Sequence, residues 1–203
     1  YLHEALGAAE RFDALVLEST LRTAALQLPS DQALDRVFGP LLMEIGTRWE
    51  QGRFPPANEH LATAVIRRVL TWMSDLYAVP DLAPTIVVGT PAMQLHDLGA
   101  MLASTVAATS GWRVVFLGPN LPADELARAA RMAQADAVAL SIVDPIDPAH
   151  VSRELRQLRS ELPRSVALVV GGSGGAAITD VLEQIGAHRL DSLAALRTWL
   201  TTN

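Results

Sequence analysis

The sequence predicts an amino-terminal helical bundle followed by a doubly wound, Rossmann-like α/β domain with a five-stranded parallel sheet. Three observations lead there. Apolar residues recur every three or four positions as far as about residue 78, which is the period of one helix face. After VPDLAP, whose prolines mark a linker at 79–84, short and nearly continuous apolar runs alternate with helical stretches, the pattern of parallel strands buried on both faces. The 203 residues, 50% of them hydrophobic, suffice for a sizeable core, so 1–78 and 85–203 can each fold around an apolar centre.

Each element has its own signal. A short helix over Tyr1 to Leu6 and a longer one from about Ala8 to Leu28 open the bundle. In SDQALDRVFGPLLMEIGTRWEQG, Leu34, Val37, Phe38, Leu41, Leu42, Ile45 and Trp49 share one helix face, with Ser30 as N-cap and the end near Gly52. PPANEHLATAVIRRVLTWMSDLY begins with prolines suited to a first helical turn and aligns Leu61, Ala64, Val65, Val69, Trp72 and Leu76. The corners between these helices are short, which favours antiparallel neighbours. Strands follow in TIVVG, RVVFLG, AVALS and VALVVGG, with a weaker fifth in AHRL. Helices are expected over 98–110, 122–134, 149–161 and 176–185, and a last one from Leu193 to Leu200.

Composition excludes several classes. All 16 basic residues are arginine, and the net charge of −6 gives no footprint for nucleic acid. Without cysteine there is neither a thiolate metal site nor a thiol nucleophile. No apolar run reaches a membrane span and no leader pattern is present, so a cytoplasmic protein without membrane contact is expected. The start at Tyr1, in mid-helical pattern, suggests a piece of something longer.

In a doubly wound domain ligands bind beyond the carboxyl ends of the strands. His96, Gly118, Ser141 and Gly171–Gly172 all follow predicted strands and therefore share that rim. A loop histidine alone is more often solvated than a ligand. GGSGG at 171–175 equally suits a tight turn or a phosphate cradle, but a Walker lysine is impossible here and no Gly-x-Gly-x-x-Gly follows the first strand. His3, His150 and His188 have no ligand partners at helical or strand spacing, and DPIDP at 144–148 reads as a loop. Arg153, Arg156 and Arg159 read as a solvated helix face, and Met93 and Trp112 as packing residues.

Taken together, Gln94-x-His96-Asp97-x-Gly99, then Ser141-x-Val143, then Gly171–Gly172 resemble the cobalamin-binding domain, whose pattern is Asp-x-His-x-x-Gly, Ser-x-Leu or Ser-x-Thr, and Gly-Gly. The resemblance covers about 84–200. It implies that His96 is the lower axial ligand of cobalt, with Gln94 offering an oxygen to the second ring nitrogen to fix the tautomer. Gly99, Gly171 and Gly172 would leave room for the nucleotide tail of the cofactor, and Ser141 would hydrogen-bond it. In the bundle, Trp49, nine residues, then Glu59–His60 is similar to the light sensors of the CarH type, which implies adenosylcobalamin with Trp49 against the adenosyl group, Glu59 on its ribose and His60 holding that end.

Two departures bear on the reading. Gln94 replaces the aspartate of corrinoid enzymes, which leans away from methyl transfer. Glu50 stands where the tetrameric sensor of this type has a histidine, so a paired-imidazole lit state is not expected, and water or a shifted His60 would have to serve. The resemblance implies a non-enzymatic light sensor that self-associates and controls an effector, often transcription, outside this segment. The alternative is a corrinoid shuttle protein of a methyltransferase system. The sequence leaves open whether a further chromophore binds.

Overall fold

The computed structural model describes residues 1–143 and 147–203. The chain divides into two compact units, Tyr1–Leu76 and Tyr77–Asn203.

The first unit is helical: α1 (Leu2–Glu10), α2 (Ala14–Gln27), α3 (Ser30–Ala33), α4 (Gly39–Glu50) and α5 (Pro56–Asp75). The single helix expected from Ala8 to Leu28 is broken. Phe12 turns left-handed at φ 59°, and the Asp13 carboxylate caps α2 by accepting the Val16 N–H at 3.0 Å. Ser30 is not a cap. It is the first residue of α3, after Pro29, and makes no capping hydrogen bond.

Between α3 and α4 the helix continues through a π turn, Leu34–Phe38. Pro40, in the first turn of α4, has no N–H to offer the carbonyl four residues back, and its ring crowds that carbonyl. Widening the preceding turn accommodates it without ending the helix.

The core of this unit contains Leu17, Leu21, Leu34, Phe38, Leu41, Ile66, Leu70 and Met73. On α5 the buried stripe is Ala62, Val65, Ile66, Val69, Leu70 and Met73. It is therefore rotated from the expected one: Ala64 and Leu76 are exposed, and Trp72 is half-buried beneath the Arg22 guanidinium, 4.6 Å from the ring centre. Arg22 and Arg68 both bind Glu18, and the hydrogen bond from Arg68 is the chief reason that the Glu18 carboxyl is held below its usual range.

The second unit is the predicted doubly wound domain. Its strands are β1 (Thr85–Pro91), β2 (Arg113–Leu121), β3 (Ala137–Ser141), β4 (Ala167–Gly171) and β5 (His188–Leu190), all parallel in the order β2-β1-β3-β4-β5. The helices are α6 (Leu98–Thr109), α7 (Ala123–Met132), α8 (Pro148–Glu161), α9 (Thr179–Gln184) and α10 (Leu193–Thr202). Alternate strand residues Val87, Val138, Leu140, Leu168 and Val170 pack with Leu126, Leu155, Leu158 and Leu182 of α7, α8 and α9. On the other face, α6 packs against β1, β2 and β3, and α10 packs on α6. There Trp112 donates its Nε1–H to the Leu200 carbonyl at 3.0 Å and lies 5.9 Å from the Trp199 ring, a packing role as expected.

Ser173–Ile178, read in part as the start of an α-helix, forms a 3-10 turn before α9. Arg159 does not belong to a solvated face. It donates to the carbonyls of Leu162, Pro163 and Val166, closing the turn after α8, and burial lowers its pKa. Of DPIDP, residues 144–146 lie outside the described residues, while Asp147 caps α8 by accepting the His150 N–H at 3.0 Å. That bond is the main cause of its lowered carboxyl pKa. Among the described residues no helix is long and apolar enough to cross a membrane.

Candidate functional site

The strand order reverses direction at β1: the chain steps from β1 outward to β2, then back across β1 to β3. The connections after β1 and β3 consequently leave on opposite faces of the sheet, and a crevice opens at the carboxyl ends of these strands. Gln94, His96, Asp97 and Gly99 follow β1, while Ser141 ends β3 and Val143 follows it. Gly171–Gly172 lie at the end of β4, and Gly118 near the end of β2.

The His96 loop displays three side chains. His96 is exposed, Leu95 is 69% exposed and Met93 is 54% exposed, while Gln94 and Asp97 on either side are buried. Met93 is therefore no packing residue; it holds a left-handed φ of 67° at the turn. No hydrogen bond to the His96 ring is found among the described residues. Gln94 does not present its oxygen to that ring, as the sequence suggested: its Oε1 accepts the Val143 N–H at 3.3 Å. Two contacts that the sequence reading passed over complete the loop. The buried Thr90 hydroxyl donates to the Gln94 carbonyl oxygen, and Asn120, from the far end of β2, accepts the Met93 N–H. The only signal for Asn120 was its place after Gly118–Pro119, a turn sequence.

Beside the loop the chain packs with little clearance. A Cβ on Gly99 would lie 2.5 Å from Ser141 Oγ, and one on Gly172, at φ 95°, would lie 2.3 Å from the Ile142 carbonyl oxygen. Only glycine satisfies both positions. Ser141 is a buried residue, and no hydrogen bond of its hydroxyl is found among the described residues, so this hydroxyl can bind a ligand. Gly118 adopts φ 81° and terminates the regular pairing of β2. Among the described residues no group of three or more His, Asp or Glu could hold a bare metal ion. A metal brought by a macrocycle, which supplies its own equatorial donors, would need only the single imidazole displayed here.

The bundle carries the second constellation. Trp49 lies in the last turn of α4 and Glu59–His60 follow closely on the start of α5, so the Gln51–Pro55 corner puts them at one end of that unit. Gly52 at φ 66° and the Arg53 N–H to Arg48 carbonyl bond of 2.8 Å shape the corner, and Asn58 fixes it by donating to the carbonyls of Ala9 and Glu10. Trp49 is 48% exposed rather than part of the core. Glu59 accepts the Thr63 hydroxyl at 2.7 Å, and its other oxygen is 3.7 Å from His60 Nδ1. Glu50 is exposed.

Comparison with known proteins decides the family. Residues 84–190 match a family described as the B12 binding domain, and residues 1–73 match a second model of the same description. The chain belongs to the B12-binding-domain family. It is 32% identical over 184 residues to the HTH-type transcriptional repressor CarH of Myxococcus xanthus, covering 90% of this chain and 61% of the repressor. With the dimethylamine corrinoid protein 3 of Methanosarcina acetivorans it shares 25% identity over 78% of this chain and 75% of that protein. The fold resembles that of the Methanosarcina barkeri monomethylamine corrinoid protein, with a TM-score of 0.74 at 18% identity over 98% of this chain and 95% of that one. The chain thus spans about three-fifths of the repressor's length. The glycines that crowd the rim of this B12-binding domain set a measurable limit. Gly172→Ala combines a steric overlap with left-handed strain and should destabilise the domain by about 2–4 kcal/mol, read as a lower urea midpoint in the cofactor-free protein.

Proposed function

We propose that this chain is the sensory part of a cobalamin-dependent photoreceptor, which binds adenosylcobalamin with His96 as the lower axial ligand. The observation that carries the reading is the rim itself: an exposed imidazole with no partner among the described residues, next to a tightly packed glycine rim and the Ser141 hydroxyl. Adenosylcobalamin supplies a cobalt–carbon bond that light breaks. The residues do the rest. His96 offers a nitrogen lone pair, Ser141 a hydrogen bond, and Gly99, Gly171 and Gly172 room for the tail. Gln94, engaged by Val143, would act on His96 by holding the loop rather than by touching the ring. Gly118 and Asp97 would shape the same rim.

Trp49 and Glu59 would serve the adenosyl side, the indole by packing and the carboxylate by accepting ribose hydroxyls, with His60 beside them. The half-exposed indole supports this role, since it is an apolar surface that the bundle core does not use. Loss of the adenosyl group would free that surface and so alter contacts with other protomers or an effector. The relative named as a transcriptional repressor supports transcription as the output. A corrinoid carrier for methyl transfer is the second reading, supported by the dimethylamine corrinoid relative. The Trp-x9-Glu-His spacing favours the sensor, because a carrier must expose its upper face to partner enzymes. Absorption spectra taken before and after green illumination, with adenosyl- and methylcobalamin in turn, decide between them: a light-driven change with adenosylcobalamin supports the sensor, and its absence overturns it.

Two substitutions test the residues. His96→Ala should lower cobalamin affinity at least about 10- to 100-fold and remove the imidazole-on spectrum, with the fold unchanged by circular dichroism. An unchanged spectrum would end the ligand assignment. Trp49→Ala should reduce the preference for adenosyl- over methylcobalamin by about 1–3 kcal/mol, measured as the ratio of the two dissociation constants. Equal losses for both cofactors would make Trp49 a structural residue of the bundle.

A further inference from the structure

Asn120 lies outside every motif that pointed to the site, yet it makes three hydrogen bonds that bear on the His96 loop. Its Oδ1 accepts the Met93 N–H at 2.8 Å. Its own N–H is shared between Thr90 Oγ1 at 2.9 Å and the Gln94 carbonyl oxygen at 3.1 Å. Thr90 is fully buried at the end of β1 and donates its hydroxyl to the same Gln94 carbonyl. Asn120 is itself left-handed, at φ 62°, a conformation that asparagine tolerates better than most residues. Met93 holds φ 67°, which costs energy for a long side chain and persists only where neighbouring contacts determine it. On the opposite side the loop is held by the Val143 N–H to Gln94 bond. The segment between β1 and α6 is thus clamped from β2 and from the segment after β3, and the exposed His96 is the second residue after the doubly held Gln94.

We propose that Asn120 is a positioning residue for the cobalt ligand: by fixing the left-handed Met93 turn through Oδ1 it sets the loop before cofactor arrives, so that binding does not have to order it. This rests on the assignment of His96 as axial ligand. A pre-formed loop binds more tightly than one that must be ordered at the moment of binding, because the entropy has already been lost in folding.

The test uses N120G, which keeps the left-handed backbone and removes the acceptor, and N120D, which restores an acceptor oxygen. In the cofactor-free protein, amide exchange at Met93 should accelerate in N120G and return to the wild-type rate in N120D. The affinity for adenosylcobalamin should fall roughly 2- to 10-fold in N120G, the range of one net hydrogen bond, and recover in N120D. The same N120G change made in an H96A background should have no further effect on affinity. Unchanged Met93 exchange in N120G, or an equal loss of affinity with and without His96, overturns the inference and leaves the ligand assignment standing. An H96A protein that binds as tightly as the wild type overturns both. Should N120G fail to fold, T90V, which deletes the hydroxyl shared by Asn120 and Gln94, is read by the same two measurements and the same criteria.

Discussion

The reversal of strand order at β1 is the constraint on which the rest of the α/β unit depends. Because every strand is parallel, all five end on one rim, and every functional candidate of this unit must lie there. Because β1 is flanked by β2 on one side and β3 on the other, the segments after β1 and β3 diverge to opposite faces. The crevice is a product of topology, and residues are then chosen to fit it. Gly99 lets α6 begin against Ser141, and Gly172 lets the chain leave β4 against the Ile142 carbonyl. A side chain at either position would push the two walls apart.

Around that crevice the polar groups fall into two sets. Thr90, Gln94, Asn120 and the Val143 N–H bind one another and make the loop rigid. The side chains of His96 and Ser141, by contrast, have no hydrogen-bond partner among the described residues. One set holds the scaffold, and the other leaves an exposed imidazole and a hydroxyl on the same rim available to a ligand. The loop also presents Met93 and Leu95 beside the imidazole. A flat, largely apolar macrocycle with one open coordination position suits such a surface better than a hydrated ion does.

Much of this was legible in the residues. The period of 3.6 gave the helices, continuous apolar runs gave the strands, and the order of the histidine, serine and glycine motifs gave the rim. What escaped has physical causes. The α5 stripe was misplaced because that helix carries apolar residues on more than one face, Leu61 and Leu76 as well as Ile66 and Met73, and periodicity alone does not say which face finds neighbours. The break at Phe12 was hidden because aspartate and phenylalanine are both tolerated in helices, and the capping bond of Asp13 is visible only in three dimensions. The direction of the Gln94 side chain could not be inferred, since it is decided by a backbone N–H from the segment after β3. Asn120 was missed for the same reason: its partners are distant in sequence and belong to a turn rather than to a periodic element.

The bundle repeats the logic in a different material. Its core closes without Trp49: Phe38 of the π turn and Leu41 and Ile45 of α4 are buried, and the corner after α4 is shaped by Gly52 and secured by Asn58. A tryptophan left half-exposed beyond a finished core forfeits a large share of the stabilisation its ring could provide, so folding of the bundle does not explain its presence there. Glu59 is likewise placed in the first turn of α5, where a carboxylate is favoured by the helix dipole whether or not a ligand is bound. The pair combines an apolar plane with an oriented acceptor, which is the chemistry a nucleoside requires: a base to stack and hydroxyls to donate. That match belongs to the residues themselves.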